Sequence, residues 1–192
     1  MSTTKPIRKI EDIEALKNYF LHKKHNLRNY TMVCLGINSA LRISDLLSLT
    51  WGDVYDFTNS CFRQHIAIIE RKTGKRTENA LNTNAMKALE SYKNSLSEVT
   101  EQTFIFPGRG RKKPLSRSQA YRILRSAGQA LHFETGISCH SLRKTFGYHA
   151  WKMGVQPAVL MQVFHHSSFQ VTKRYLGIEQ DDIDQVFLAI NL

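Results

Sequence analysis

The chain has 192 residues, 42% of them hydrophobic, which suits one domain with a real core and excludes a disordered chain. Lysine and arginine total 27 against 16 aspartate and glutamate, a formal net charge of +11 that favours a polyanionic partner without separating DNA from RNA or an acidic membrane surface. No stretch approaches the roughly 18 apolar residues needed to cross a bilayer, the N-terminal MSTTKPIRKIEDIEAL lacks a signal-peptide core, and three cysteines with no CxxC spacing define neither a disulfide framework nor a zinc site.

Helical spacing of Ile10, Ile13, Leu16 and Phe20 predicts a first helix over residues 10–24. A more apolar helix follows over residues 29–40, then a short third one through Leu46, Leu47 and Leu49, with Ser44 as its expected N-cap. Cys34 and Cys139 lie inside apolar helical patterns and read as small buried hydrophobes. The Ile-rich alternation of residues 62–69 predicts a strand, and Gly74 turns the chain into a second strand over residues 77–81. Residues 83–96 are helical again. A Gly/Pro/basic loop then leads to Ser116, which can cap a helix reaching about residue 132. Residues 139–153 form another helix, Pro157 opens the next, and Ile183, Val186, Phe187 and Ile190 mark one face of a final amphipathic segment. The expected fold class is mainly α with a small antiparallel β-hairpin sheet (α+β).

Five stretches carry polar residues in suggestive patterns. SALRISDLLSLTWGDV places Arg42 at the end of an apolar helix. RKTGKR is a hairpin tip presenting Lys72 and Lys75, and basic tips are commonly solvated turns. In SCHSLRKTFGYHAW, His140 and Arg143 share one helix face beside Lys144, an arrangement suited to a phosphate. In FHHSSFQVTKRYLGI, His166 precedes Tyr175 by nine residues, although a half-buried core role is the commoner fate of a tyrosine. RGRKK, from Arg109 to Lys113, reads as a contact to a phosphate backbone.

Taken in the order Arg, Lys, HxxR, His, Tyr, these stretches resemble the catalytic domain of the tyrosine recombinase and phage integrase family. The resemblance runs from about Ile10 to Ile178 and is best in ALRISDLLSLTW, KTGKR, HSLRKTFG and HSSFQVTKRYLGI. It implies a catalytic set of Arg42, Lys72, His140, Arg143, His166 and Tyr175. Lys75, Arg76, Arg109, Arg111, Lys112, Lys113, Arg117 and Lys144 are the expected DNA contacts. One departure is His165, where the family usually has Gly before the histidine matched to His166.

The implied reaction is attack of the Tyr175 hydroxyl on a DNA phosphodiester, leaving a 3′-phosphotyrosyl link that a second 5′-hydroxyl reverses. Guanidiniums suit the pentacoordinate phosphorane because they stay charged and bind two oxygens at once. The scheme needs no metal or other cofactor. The expected partners are double-stranded DNA and further copies of the chain, a tetramer on DNA with accessory proteins possible, in the cytoplasm of a bacterial or mobile-element host. Residues 1–179 are expected to form the catalytic domain and residues 180–192 a tail that docks in cis or on a neighbouring protomer, with no N-terminal core-binding domain. The rival readings are a catalytically silent DNA-binding relative and a type IB topoisomerase.

Overall fold

The computed structural model describes residues 4–69, 74–110, 112–178 and 180–190. Among them α1 (Ile10–Asn18) runs into a π-helical turn, Tyr19–Lys23, before α2 (Leu27–Asn38) and α3 (Ile43–Ser48). Two short antiparallel pairs follow, β1 (Tyr55–Asp56) with β2 (Cys61–Phe62) and β3 (His65–Ile69) with β4 (Arg76–Ala80). Five helices with one long connection complete the order: α4 (Thr83–Asn94), α5 (Arg117–Ala130), α6 (Cys139–Lys152), α7 (Pro157–Phe164) and α8 (Phe169–Leu176). The tail helix α9 (Gln180–Ala189) comes last.

The hub is α2, which packs against α1, α4 and α6. Its Met32, Val33, Cys34, Leu35 and Ile37 are all buried, so the helix is apolar nearly all round, as a central helix must be. Gly36 lets α6 approach closely, since a Cβ there would stand 2.6 Å from Leu142 Cδ1. Leu142 lies beside Arg143, so this packing sets the depth of the HxxR helix in the domain.

The core has two parts. The larger gathers α1 to α5 with Ile66, Trp51 and Leu142. The smaller joins Leu160, Phe164, Leu176 and Ile178, with Phe146, Trp151 and Tyr175 packed against it. Tyr175 therefore rides on a satellite cluster built by α6, α7 and α8. Gly147 makes that cluster tight, because a Cβ on it would meet the Phe164 ring at 2.6 Å.

Local signals in the sequence account for most helix ends. Ser116 and Gln119 form a reciprocal capping box at 3.2 and 2.9 Å at the start of α5, and Pro157 occupies the first turn of α7. Three expectations change. Ser44 does not cap α3: Arg42 holds the N-cap position in extended conformation, with no side-chain cap, and Ser44 sits inside the first turn. The run expected as one strand over residues 62–69 is divided, Phe62 pairing with Tyr55 while His65–Ile69 pairs with Arg76–Ala80. Residues 169–176, in a stretch to which no element was assigned, form α8, capped by Ser168 and closed by Gly177 at φ 68°.

Candidate active site

Arg42 reaches its position through a turn. Ala40 adopts a left-handed conformation, φ 54°, which ends α2 and redirects the chain, and Arg42 follows half-buried at the head of α3. Asp45 is buried one turn further on, at 2% exposure. Arg143 comes from the first turns of α6 and is 7% exposed, which for an arginine demands partners on the protein or a ligand. Its guanidinium donates to the Ala40 carbonyl, reaches the Phe164 carbonyl at 3.5 Å and lies 4.9 Å over the Phe164 ring. Its charge also acts on the Tyr175 hydroxyl. One side chain thus ties the turn before Arg42 to the end of α7, with its charge acting on the tyrosine of α8.

Tyr175 is half-buried, and burial pushes its pKa above the ordinary 10.0, with the nearby charges of Arg143 and Arg42 pulling the other way. The His166 ring sets edge-on to the Tyr175 ring at 5.2 Å and stacks on Phe164 at 5.7 Å. Its Nδ1 lies 3.0 Å from the Thr172 hydroxyl, which is fully buried inside α8. That contact fixes the imidazole through Nδ1. His140 is exposed at the start of α6; partial desolvation, and then the charges of Lys144, Arg143 and Arg117, hold its pKa below the usual histidine value.

Arg42, His140, Arg143, His166 and Tyr175 all line one open cleft of about 1250 Å³, together with Arg117, Arg122 and His165. Among the described residues no carboxylate lines it. Such a cleft suits a polyanion, and the guanidiniums of Arg42 and Arg143 beside a hydroxyl suit nucleophilic attack at phosphorus. Lys72, expected in the same set, lies outside the described residues, as does Arg111.

The remaining expected DNA contacts separate by position. Lys75, Arg76, Arg109, Lys112, Lys113 and Arg117 are exposed, with Arg76 paired to the exposed Glu78 at 2.9 Å. Lys144 differs: it is buried, its ammonium donates to the Thr4 carbonyl at 2.6 Å and stands 5.4 Å over the Tyr175 ring, and burial lowers its pKa. It packs the N-terminal segment against the tyrosine and presents little to a surface ligand. Four residues of the site were missed by sequence reasoning. Thr172 and Phe164 orient His166 and Arg143, and no periodicity marks them. Arg122 and Arg28 line a notch of about 370 Å³ with Arg109, and Arg122 lines the main cleft as well. The spacing of Ser118 and Arg122 on α5, one turn apart, was the available signal for Arg122.

Comparison with known proteins gives this geometry a family. The model of the phage integrase family matches residues 9–181. The chain is 40% identical over 185 residues to a protein described as probable integrase/recombinase YoeC of Bacillus subtilis, covering 94% of this chain and 93% of that one. It is 28% identical over 170 residues to the type 1 fimbriae regulatory protein FimE of Escherichia coli K12, covering 86% and 82% of the two chains. Tyrosine recombinase XerD of Corynebacterium glutamicum is 25% identical over 91% of this chain, which spans only 56% of that protein. Among solved structures, the XerA recombinase superposes with a TM-score of 0.77 at 21% identity, over 97% of this chain and 66% of the other. A lambda integrase dimer bound to a core site superposes at 0.67 and 16% identity, over 92% and 49%. The chain belongs to the phage integrase family, and its fold is that of a tyrosine recombinase catalytic domain.

Proposed function

We propose that this chain cleaves and rejoins double-stranded DNA at specific sites through a 3′-phosphotyrosyl intermediate formed on Tyr175. The observation that carries the reading is the Tyr175 hydroxyl under the charges of Arg143 and Arg42, in a cleft that also holds His140 and His166 and, among the described residues, no carboxylate.

The tyrosine enters the reaction as a neutral phenol, because burial raises its pKa, so its proton must leave as the oxygen–phosphorus bond forms. His140, kept neutral near pH 7 by its lowered pKa, takes that proton. Arg42 and Arg143 hold the two non-bridging oxygens as negative charge grows on them. His166, oriented by Thr172, hydrogen-bonds the same phosphate. The bond to the 5′ oxygen breaks, and Lys72 supplies the proton with which it departs as a hydroxyl. Attack by a second 5′-hydroxyl reverses each transfer and frees Tyr175. The phosphodiester energy is kept in the protein–DNA ester, so no nucleotide is consumed.

Residues 1–179 carry this chemistry and residues 180–192 carry assembly. Val186, Phe187 and Leu188 on α9 and Ile190 just beyond it are exposed, between 55% and 82%, and give a second copy an apolar surface to cover. The working species is a homo-tetramer on DNA, acting in the cytoplasm; among the described residues no helix is long and apolar enough to cross a membrane.

The test is incubation with nicked suicide duplexes of randomised sequence, comparing the wild type with Tyr175→Phe on a denaturing gel. A protease-sensitive protein–DNA adduct formed only by the wild type is the expected result. DNA binding by both proteins with no adduct from either would favour a silent binding protein. Relaxation of supercoils without joining of two sites would favour a type IB topoisomerase.

A further inference from the structure

We infer that Arg8 is a positioning residue for the nucleophile: its guanidinium fastens the C-terminal end of α8 and thereby fixes where the Tyr175 hydroxyl stands beside Arg143. This rests on the DNA-cleaving reading above and adds a residue that lies outside the cleft lining.

Residues 4–8 run along α6 before the first helix begins. The Lys144 ammonium donates to the Thr4 carbonyl at 2.6 Å, the Ile7 N–H donates to the Thr145 hydroxyl at 2.9 Å, and His149 Nε2 lies 3.0 Å from the Ile7 carbonyl. Ile7 is buried in the larger core cluster. The next residue crosses to the smaller one. Arg8 lies 5.0 Å over the Tyr148 ring of α6, and its guanidinium donates to the Gly177 carbonyl and, at 3.3 Å, to Asp182. Pro6 packs on the same turn, since a Cβ on Gly177 would stand 3.5 Å from Pro6 Cδ. A segment stitched to the helix of His140 and Arg143 therefore ends on the carbonyl two residues after Tyr175.

Helix α8 is lightly anchored otherwise. It spans eight residues, of which Thr172 and Leu176 are the buried ones. The last carbonyls of a helix have no partner within it and carry partial negative charge, so a guanidinium donor is favourable there. Tyr175 lies within one turn of this contact, so a shift of the helix end reaches the phenol almost undiminished. The phenol must meet a phosphorus held by Arg42 and Arg143, and a misplacement of about 1 Å can cost about 100-fold in rate.

The stem and the head of Arg8 can be separated by substitution. Arg8→Met keeps an apolar stem over Tyr148 and removes the donors, and Arg8→Lys keeps a cationic donor for the Gly177 carbonyl. The side chain is 24% exposed, so both variants should fold. Arg8→Met should slow adduct formation at saturating DNA by about 10- to 100-fold and leave affinity for duplex DNA unchanged. Arg8→Lys should recover most of the rate.

The experiment measures single-turnover adduct formation on the nicked suicide duplexes and affinity for a fluorescent random-sequence duplex at fixed salt, for all three proteins. Rates are taken well below all three melting temperatures, where a loss of global stability alone would not slow the reaction. Arg8→Met cleaving as fast as the wild type overturns the inference. So does an equal loss in binding, or the same loss in Arg8→Lys. If the wild type itself forms no adduct, the DNA-cleaving reading fails separately, and amide hydrogen exchange decides. Faster exchange across α8 in Arg8→Met, with α2 unchanged, supports the fastening; unchanged exchange in α8 overturns it.

Discussion

The Arg143 guanidinium donates to the Ala40 carbonyl, so the arginine of α6 is locked to the left-handed turn that delivers Arg42. The two arginines expected to grip one phosphate are therefore positioned by a single hydrogen bond, across a chain separation of 103 residues. Their spacing is fixed before any DNA arrives, which is the condition for electrostatic preorganisation.

Arg143→Lys tests this directly. An ammonium keeps the charge but cannot hold the Ala40 carbonyl and two phosphate oxygens together. Adduct formation should fall by about 10²–10³, with affinity for duplex DNA reduced only a few-fold. Equal losses in both would mean that Arg143 binds DNA without organising the centre.

Gly147→Ala should separate the satellite cluster from the main core. The new methyl would press on the Phe164 ring, which is 1% exposed and has no room to turn. The expected cost is about 1–3 kcal/mol, read by urea unfolding. Since the displaced elements carry His166 and Tyr175, cleavage should fall more than DNA binding does.

His140 makes both stability and rate depend on pH. Its folded-state pKa lies below the ordinary 6.5, so on acidification the unfolded chain takes up the proton first. The stability associated with this residue is present above pH 6.5 and is lost as pH falls through the folded value. Adduct formation follows the same direction, flat above neutrality and falling in acid, because the neutral ring accepts the tyrosine proton. Urea unfolding and single-turnover rates from pH 5 to 8 should both lose part of their acid slope in His140→Gln.

The tail should respond differently at its two ends. Asp182 is 4% exposed and is held by Arg8 at 3.3 Å, Lys152 at 3.5 Å and the Tyr148 hydroxyl at 3.2 Å, which anchors the start of α9 on its own domain. Asp182→Asn should lower amide protection across α9 by about 1.5–3 kcal/mol, with the core helices unchanged. Phe187→Asp, at a site 74% exposed, should leave the monomer's melting temperature alone and abolish higher assemblies on DNA. Sedimentation with and without duplex DNA reads the second effect; unchanged assembly would place the tail's role within one protomer.

Much of the molecule was legible in the residues. The spacing of His140 and Arg143 predicted one helix face, and α6 carries both. Ser116 with Gln119, Pro157 and the apolar run of α2 placed helices whose signals are local, since caps and periodicity act within a turn or two. The order of Arg42, Lys72, HxxR, His166 and Tyr175 was enough to point to the family. Long-range relationships were not legible, because they depend on which surfaces meet. Nothing near Ala40 announces that its carbonyl will receive Arg143, and nothing near Thr172 announces that it will hold the His166 ring. Lys144 stands beside a phosphate-binding pair in sequence and turns inward in space, since one residue along a helix is a rotation of about 100°. What the sequence by itself determined was the inventory of chemical groups and the helices that carry them. Their convergence on one cleft was decided only by tertiary packing, through close approaches at Gly36 and Gly147 that no local pattern encodes.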